Sequence, residues 1–396
     1  MKNLLVSYLR FWAKRYLKRT KPEIIAVTGS VGKTSTKDAI FCVLKSHFGK
    51  EVRKSEGNLN NETGAPVAIL GFKKAPSYEA TNPFGWIPII FLAPFKSFLT
   101  KKNKILILEL AADKPGDIKY LTSFIHPKVA VLTNIGPAHL AAFGSIEKII
   151  EEKAGLLRAL PMDGTAILNI DDENVKKISY GGRWQKLTIG VSQDADITAT
   201  NIETEIKDFE PKTTFETRIN QKSLKIETPT LGKEANVLSC LAAIAVGKIY
   251  DLKDNEIIDG LKNFRSENHR MNILKGKNGC MIIDDSYNAN PTSMKAALKI
   301  LQELPARRKI AVLGDMREIG KITDEAHILI GAYAKEVADE VVSVGKLAKK
   351  YGAKNYFGSS EKASAYLLSK VEEGDIILIK ASRVLELDKI VEALRA

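Results

Sequence analysis

Residues Thr28-Gly29-Ser30-Val31-Gly32-Lys33-Thr34-Ser35-Thr36 stand directly after a short apolar run, Glu23 to Thr28, and directly before a helix-compatible stretch, Thr34 to Phe48. Nothing else in the chain constrains its fold as strongly. Glycines let backbone N–H groups wrap a phosphate, and the helix N-terminus adds its dipole. Lys33 neutralises charge at the outer phosphates, and Thr34 offers a hydroxyl to Mg2+. A loop of this kind has to be delivered by a strand and received by a helix, which predicts α/β architecture with a mainly parallel sheet. Val27 stands where the common G-x-x-x-x-G-K-[ST] form has its first glycine, so the loop is a shortened variant.

The rest of the chain agrees. Apolar runs at Ile105 to Leu110, Val129 to Thr133 and Thr165 to Ile170 read as buried strands, with helical spacing between Ser145 and Leu160. From about Asp194 to Pro229 the pattern changes to Thr-rich alternation, which predicts a small antiparallel patch before a helix at Asn236 to Ile249. After Phe264 a second α/β series begins. Its strands fall at Met281 to Asp284, Lys309 to Leu313, Glu340 to Val344 and Asp375 to Lys380, and one of its helices starts at Pro291, a favoured first-turn residue. The expected organisation is a basic N-terminal helix over 1–22, a central P-loop ATPase-like domain over 23–264 and a C-terminal Rossmann-like α/β domain over 265–396.

Charge is uneven. Of a net +13 over 396 residues, seven positive charges precede the first acid, Glu23, which leaves +6 for everything after it. A nucleic-acid binder spreads its basic footprint over a recognition face, so this distribution predicts anionic small molecules or an anionic surface rather than nucleic acid as partners. Leu5, Tyr8, Leu9, Trp12 and Tyr16 recur at helical spacing among those cations, the pattern of an amphipathic helix that either packs on the protein's own body or lies on a membrane. The longest apolar stretch, Phe84 to Phe95, is too short to span a bilayer and is broken by Pro88 and Pro94. Cys42, Cys240 and Cys280 are far apart with no C-x-x-C pair, arguing against a disulfide framework or a cysteine zinc site and for a reducing, cytoplasmic setting.

Thr28-Gly29-x-x-Gly32-Lys33-Thr34-Ser35 resembles the P-loop of the Mur ligases, ATP-dependent amide-forming enzymes of cell-wall precursor synthesis. Further segments are similar to the MurF branch, which adds D-alanyl-D-alanine. These are Asn58-Leu59-Asn60-Asn61-Glu62-Thr63-Gly64, Glu109 to Ile118, Asn134-Ile135-Gly136-Pro137-Ala138-His139-Leu140, Asp284 to Pro291, Leu313 to Gly320 and Lys380-Ala381-Ser382-Arg383. The resemblance runs from about Glu23 to the C-terminus. It implies an ATP-dependent acid–amino-acid ligase that joins D-Ala-D-Ala to UDP-MurNAc-tripeptide through an acyl phosphate. Phosphorylation is needed because a carboxylate is a poor electrophile, and the site must gather a triphosphate, a carboxylate and two metal ions.

The resemblance also assigns residues. Gly29, Ser30, Gly32, Lys33, Thr34 and Ser35 would hold ATP, with Asn236 at the adenine, Arg270 at the phosphates and Asp285 near the ribose. Thr34, Glu109 and His139 would hold Mg2+. Lys153 aligns with a lysine that the family carbamylates with CO2 to make one more ligand for a second Mg2+. Lys33, Asn134, His139 and Lys153 form the expected catalytic set. Asn58, Asn60 and Asn61, with Asn288, Asn290, Lys380, Ser382 and Arg383, would line the substrate channel. Read without the family, Glu109 is a strand-end carboxylate, Lys153 a lysine on a charged helix face and Asn236 a helix cap.

The family pattern also breaks. A MurF enzyme begins with a domain that grips the UDP end of its acceptor, whereas only about 22 residues precede the P-loop strand here, and an apolar insertion stands at about 77–102. The helix and the insertion are expected to pack together, either replacing acceptor contacts or forming a membrane-facing patch. Ala235, Ser239 and His269 depart from the family's usual residues. Two alternatives therefore stay open: a Mur-like ligase with another amino-acid or peptide acceptor, and a membrane- or polyanion-associated P-loop ATPase that makes no amide.

Overall fold

The computed structural model describes residues 2–76, 83–191, 194–219, 222–232 and 235–396. The first residues of the expected insertion, 77–82, and Lys233 and Glu234 of the Asn236 segment lie outside the described residues.

Nine strands form the first sheet: β1 Glu23–Thr28, β2 Val52–Lys54, β3 Ile105–Glu109, β4 Val129–Leu132, β5 Thr165–Asn169, β6 Gln185–Gly190, β7 Ile197–Lys207, β8 Glu210–Ile219 and β9 Lys222–Thr228. Their order is β2-β3-β1-β4-β5-β6-β7-β8-β9. Pairing is parallel from β2 to β7 and antiparallel from β7 to β9, so the Thr-rich alternation does mark a change of pairing mode. β3, β4 and β5 are buried along their whole length, because helices cover both faces of a parallel sheet. Alternation sorts their side chains. Ile25, Val27, Ile107, Val131 and Ile167 pack under α2 (Lys33–Phe48) and the helix Ala235–Ile249. Ala26, Leu106, Leu108, Ala130, Leu132 and Leu168 face the opposite layer, which contains α1 (Lys2–Thr20), α3 (Gly64–Ile69), α4 (Ile87–Leu99) and the helix Ile146–Arg158.

Contrary to a broken apolar run, residues 87–99 form one continuous helix despite two prolines. Pro88 occupies the first turn, where its missing N–H costs nothing. Pro94 lies inside and cannot donate to the carbonyl of Ile90, and that carbonyl instead accepts the Tyr8 hydroxyl of α1 at 2.8 Å. Tyr16 donates to Lys101 O, and Arg19 donates to Ser97 O and Thr100 O, so the two helices run in the same direction along each other. The inner stripe of α1 (Leu9, Ala13, Tyr16, Thr20) is fully buried.

Six further strands, β10 Asn272–Lys275, β11 Met281–Asp285, β12 Arg308–Gly314, β13 Glu340–Val344, β14 Asn355–Phe357 and β15 Asp375–Lys380, form the second sheet in the order β10-β11-β15-β12-β13-β14. All neighbours are parallel except β10 and β11. The helix Pro291–Glu303 starts where the proline predicts, with Asn290 Oδ1 accepting from Ser293 N at 2.9 Å as its cap. The two halves meet where Ala141 N donates to Glu318 O at 3.2 Å. There Gly320 lies so close to Ala141 that an added Cβ would stand 3.1 Å from its Cα.

Candidate active site

The carboxyl ends of β1, β3 and β4 open on one side of the first sheet, the position at which parallel sheets bind ligands, and the second sheet closes over them. Between them lies a cavity of about 370 Å3.

At its floor the P-loop turns from β1 into α2. Gly29, at φ 155°, passes so close to Thr133 that an added Cβ would lie 1.9 Å from Oγ1, so only glycine fits. Gly32 adopts φ 81° as the N-cap of α2 and supplies no side chain, leaving the first-turn N–H groups for a ligand. Asn134 Oδ1 accepts from Ser30 N at 3.1 Å and Val31 N at 2.7 Å, and Ser30 Oγ donates to Gly136 O at 3.0 Å. The loop is thus held open from behind by the segment after β4. Asn134 and Gly29 belong to this scaffold rather than to the cavity lining, which begins at Ser30.

Two lysines converge on one acceptor. Lys33 Nζ and Lys153 Nζ both donate to Gly29 O, at 2.9 and 3.0 Å. Lys153 comes from the inner face of the helix Ile146–Arg158 and is only 2% exposed. Burial, followed by the Lys33 ammonium beside it, lowers its pKa from 10.5 to about 7. Burial lowers Lys33 as well, against the opposing pull of Glu109.

Glu109 ends β3 and is 3% exposed. Its Oε2 accepts the Thr34 hydroxyl and its Oε1 the Asn60 amide, both at 2.9 Å. A buried carboxylate held by two neutral donors, with a lysine-bearing phosphate loop beside it, has the chemistry of a divalent-cation site completed by phosphate oxygens and water. The described residues contain no cluster of three or more His, Cys, Asp or Glu that could hold a metal ion. Oxygen donors of this kind suit Mg2+.

His139, at φ 57°, turns its ring toward two acids, with Nδ1 2.7 Å from Glu318 Oε2 and Nε2 3.4 Å from Asp113 Oδ1. The bond to His139 holds the Glu318 carboxyl below its ordinary pKa, against the burial that would raise it. Glu318 belongs to the second half of the chain, so His139 is both a cavity residue and part of the contact between halves.

From the second half, Arg270 lies with its guanidinium 4.0 Å from the centre of the Tyr287 ring. Its Nε is buried without a hydrogen-bond partner, although an ion pair to Glu267 stands at 3.4 Å. Lys380 Nζ reaches Asp285 Oδ2 at 2.5 Å and Asn288 O at 2.8 Å. Burial raises the Asp285 pKa while Lys380 pulls it back.

The cavity lining brings together Ser30, Gly32, Lys33, Thr34, Ser35, Asn58, Asn60, Asn61, Glu109, His139, Asn236, Arg270, Asp285, Asn288, Asn290 and Lys380 from the residues expected by sequence. Some of them also hold local structure. Asn61 Oδ1 accepts from Thr63 N and Gly64 N, and Asn236 Nδ2 donates to Leu231 O. Lys153, Ser382 and Arg383 are not in the lining: Lys153 is held on Gly29 O behind the loop, Ser382 Oγ accepts from Arg317 N at 3.0 Å, and Arg383 pairs with Asp388 at 2.9 Å. Asp113, Tyr287 and Ser293 line the cavity without having been singled out, although all three lie in or beside segments the sequence had already marked.

Two family models match the chain, that of the Mur ligase middle domain over residues 86–247 and that of the Mur ligase glutamate ligase domain over residues 269–383. The chain is 32% identical to the UDP-N-acetylmuramoyl-tripeptide--D-alanyl-D-alanine ligase of Bacillus subtilis, covering 98% of this chain and 79% of that protein. It is 29% identical to the ligase of the same name from Escherichia coli, covering 99% and 80%. Among solved structures it is similar to the MurF ligase of Thermotoga maritima in complex with ADP, at 27% identity and a TM-score of 0.82 over 98% of this chain and 83% of that one.

Proposed function

The chain belongs to the Mur ligase family, and from that premise we propose that it joins D-Ala-D-Ala to UDP-MurNAc-tripeptide with hydrolysis of ATP to ADP and phosphate. The acceptor carboxylate attacks the γ-phosphorus and ADP leaves. The dipeptide amine then attacks the acyl carbon, phosphate leaves with its electron pair, and the amine loses a proton.

The observation that carries this reading is the convergence, in one cavity, of a phosphate loop, a buried carboxylate and cations from both halves of the chain. The P-loop N–H groups and Lys33 hold the β and γ phosphates, and Arg270 meets them from the opposite side. Asn236 faces the adenine, and Asp285, oriented by Lys380, faces the ribose. The amides of Asn58, Asn60, Asn61, Asn288 and Asn290 orient the acceptor peptide, while Asn134 keeps the loop in its binding geometry. Thr34, Glu109 and His139 would hold Mg2+, which supplies charge neutralisation around the transferred phosphoryl group. We assign the division of labour to residues 23–264 for ATP and 265–396 for closure over it. ATP and a nucleotide-linked acceptor place the reaction in the cytoplasm.

Lys153 is the residue we assign to carbamylation. Burial lowers its pKa to about 7, so a large share of the amine is free of its proton at neutral pH; that neutral form adds to CO2 with loss of one proton and becomes a carboxylate-like oxygen donor facing the P-loop. This turns a cation into an anion beside Lys33, which relieves the clash of two ammonium groups on one carbonyl.

Phosphate release with mass detection of product tests the whole reading. Phosphate and pentapeptide product should appear only when ATP, Mg2+, UDP-MurNAc-tripeptide and D-Ala-D-Ala are all present. Turnover that ignores either substrate refutes it.

A further inference from the structure

The outer face of the α1–α4 pair is not used by the ligase site. Along α4, Ile87, Phe91, Leu92, Phe95, Phe98 and Leu99 are exposed, from 43% to 76%, on the side opposite the buried Ile89, Ala93 and Ser97. Helices that carry apolar residues all round need a second apolar environment. The two helices share this face: Phe98 lies 6.3 Å from Trp12, Trp12 lies 5.0 Å from the exposed Phe11, and the Arg15 guanidinium sits 4.3 Å from the Phe98 ring centre.

Charge identifies what covers it. Neither α1 nor α4 contains an Asp or Glu, whereas Lys14, Arg15 and Lys18 of α1 and Lys101 and Lys102 after α4 are exposed beside the aromatic strip. Because the helices run the same way, Lys18, Lys101 and Lys102 collect at one end. A second copy of the chain would bring two such sets of cations together and repel. No described helix is long and apolar enough to cross a membrane, so this pair can lie on a bilayer but not through it. We propose that the α1–α4 face docks on the surface of an anionic phospholipid bilayer, with Phe91, Phe95 and Phe98 in the headgroup–acyl boundary and the lysines and arginines at the headgroups. The Lys2–Glu62 ion pair, at 2.7 Å, puts the start of α1 beside the Asn58–Asn61 loop, so the docked face adjoins the acceptor end of the cavity. This inference is independent of the proposed reaction, since it is read without turnover.

The test is flotation of the full chain with vesicles of phosphatidylglycerol and phosphatidylcholine, against phosphatidylcholine alone, at low and high salt. Binding to the anionic vesicles should be at least about tenfold stronger and fall several-fold between about 0.1 and 0.5 M salt. F91S/F95S and K14E/K18E should each weaken it about tenfold, with phosphate release on soluble substrates within about twofold of the parent. In a W86F/W184F background, which leaves Trp12 as the one tryptophan, brominated lipid should quench the fluorescence only with anionic vesicles. Equal binding to both vesicle types, no binding to either, or unchanged binding by both variants overturns the proposal. So does a light-scattering dimer that F91S/F95S dissolves, because the face would then be an interface between copies.

Discussion

Replacing Lys153 by Met should separate stability from activity in opposite directions. A lysine pKa of about 7 in the fold against an ordinary 10.5 means that, at pH 7, about half of the Lys153 amines are neutral, compared with about 3 in 10,000 for an exposed lysine. The same fall is a stability cost. The unfolded chain binds the proton more tightly, so stability rises with pH between about 7 and 10.5; the cost is complete below that window and absent above it. At pH 7 it amounts to roughly 4 kcal/mol before local relaxation. Methionine matches the length of the aliphatic stem and removes the cation, and Lys33 still donates to Gly29 O at 2.9 Å. Lys153→Met is therefore expected to be about 2–4 kcal/mol more stable than the parent at pH 7 in CO2-depleted buffer, with the difference shrinking toward pH 10. Ligation should fall at least about 100-fold if the proposed carbamate serves the reaction, since methionine cannot form it. Urea unfolding at several pH values and coupled phosphate release read both. A variant that is less stable than the parent at pH 7 would refute the burial argument, and full ligation would refute the carbamate.

Gly29→Ala puts a Cβ 1.9 Å from Thr133 Oγ1 and 3.1 Å from Asn134 O, and should weaken ATP binding at least about tenfold in calorimetry while leaving the second sheet's unfolding unchanged. Glu109→Gln keeps the shape that Thr34 and Asn60 hold but removes the charge. It is expected to raise the Mg2+ concentration needed for half-maximal rate about tenfold, with little change in Tm. Lys380→Met strands Asp285 without its cation and should cost about 3 kcal/mol in urea unfolding, and adding Asp285→Asn should recover most of that loss.

Much of this was legible in the sequence because it is local. β15, Asp375–Lys380, is an uninterrupted apolar run ending in a cation and falls where its pattern put it. The helix Pro291–Glu303 announces itself through a proline and its Asn290 cap. The P-loop residues are contiguous, so the turn that assembles them is encoded within nine positions. What stayed hidden depends on the chain returning to itself. Residues 87–99 hold two prolines and looked unfit for an unbroken helix, yet the carbonyl that Pro94 orphans is satisfied by Tyr8, 82 positions away. A propensity argument cannot see a donor at that distance.

The same reasoning explains which contacts of the site residues the sequence could not show. Lys380 and Asp285 are 95 positions apart, and alone one reads as a substrate contact and the other as a ribose contact; together they are a buried pair whose charges satisfy each other, with the backbone O of Asn288 as a further acceptor for the lysine. Arg383, three residues on, pairs with Asp388 and faces solvent, because the strand has ended and the chain has left the cavity wall. His139 joins residues that lie still farther apart in the chain. It stands at the N-cap of the short helix Leu140–Phe143 without capping it through its side chain, and its ring spans Asp113 of the first half and Glu318 of the second. A residue so placed links the P-loop end of the cavity to the contact between halves. Any movement that separates the two sheets must therefore break both the His139–Glu318 contact and the Ala141 N to Glu318 O bond beside it.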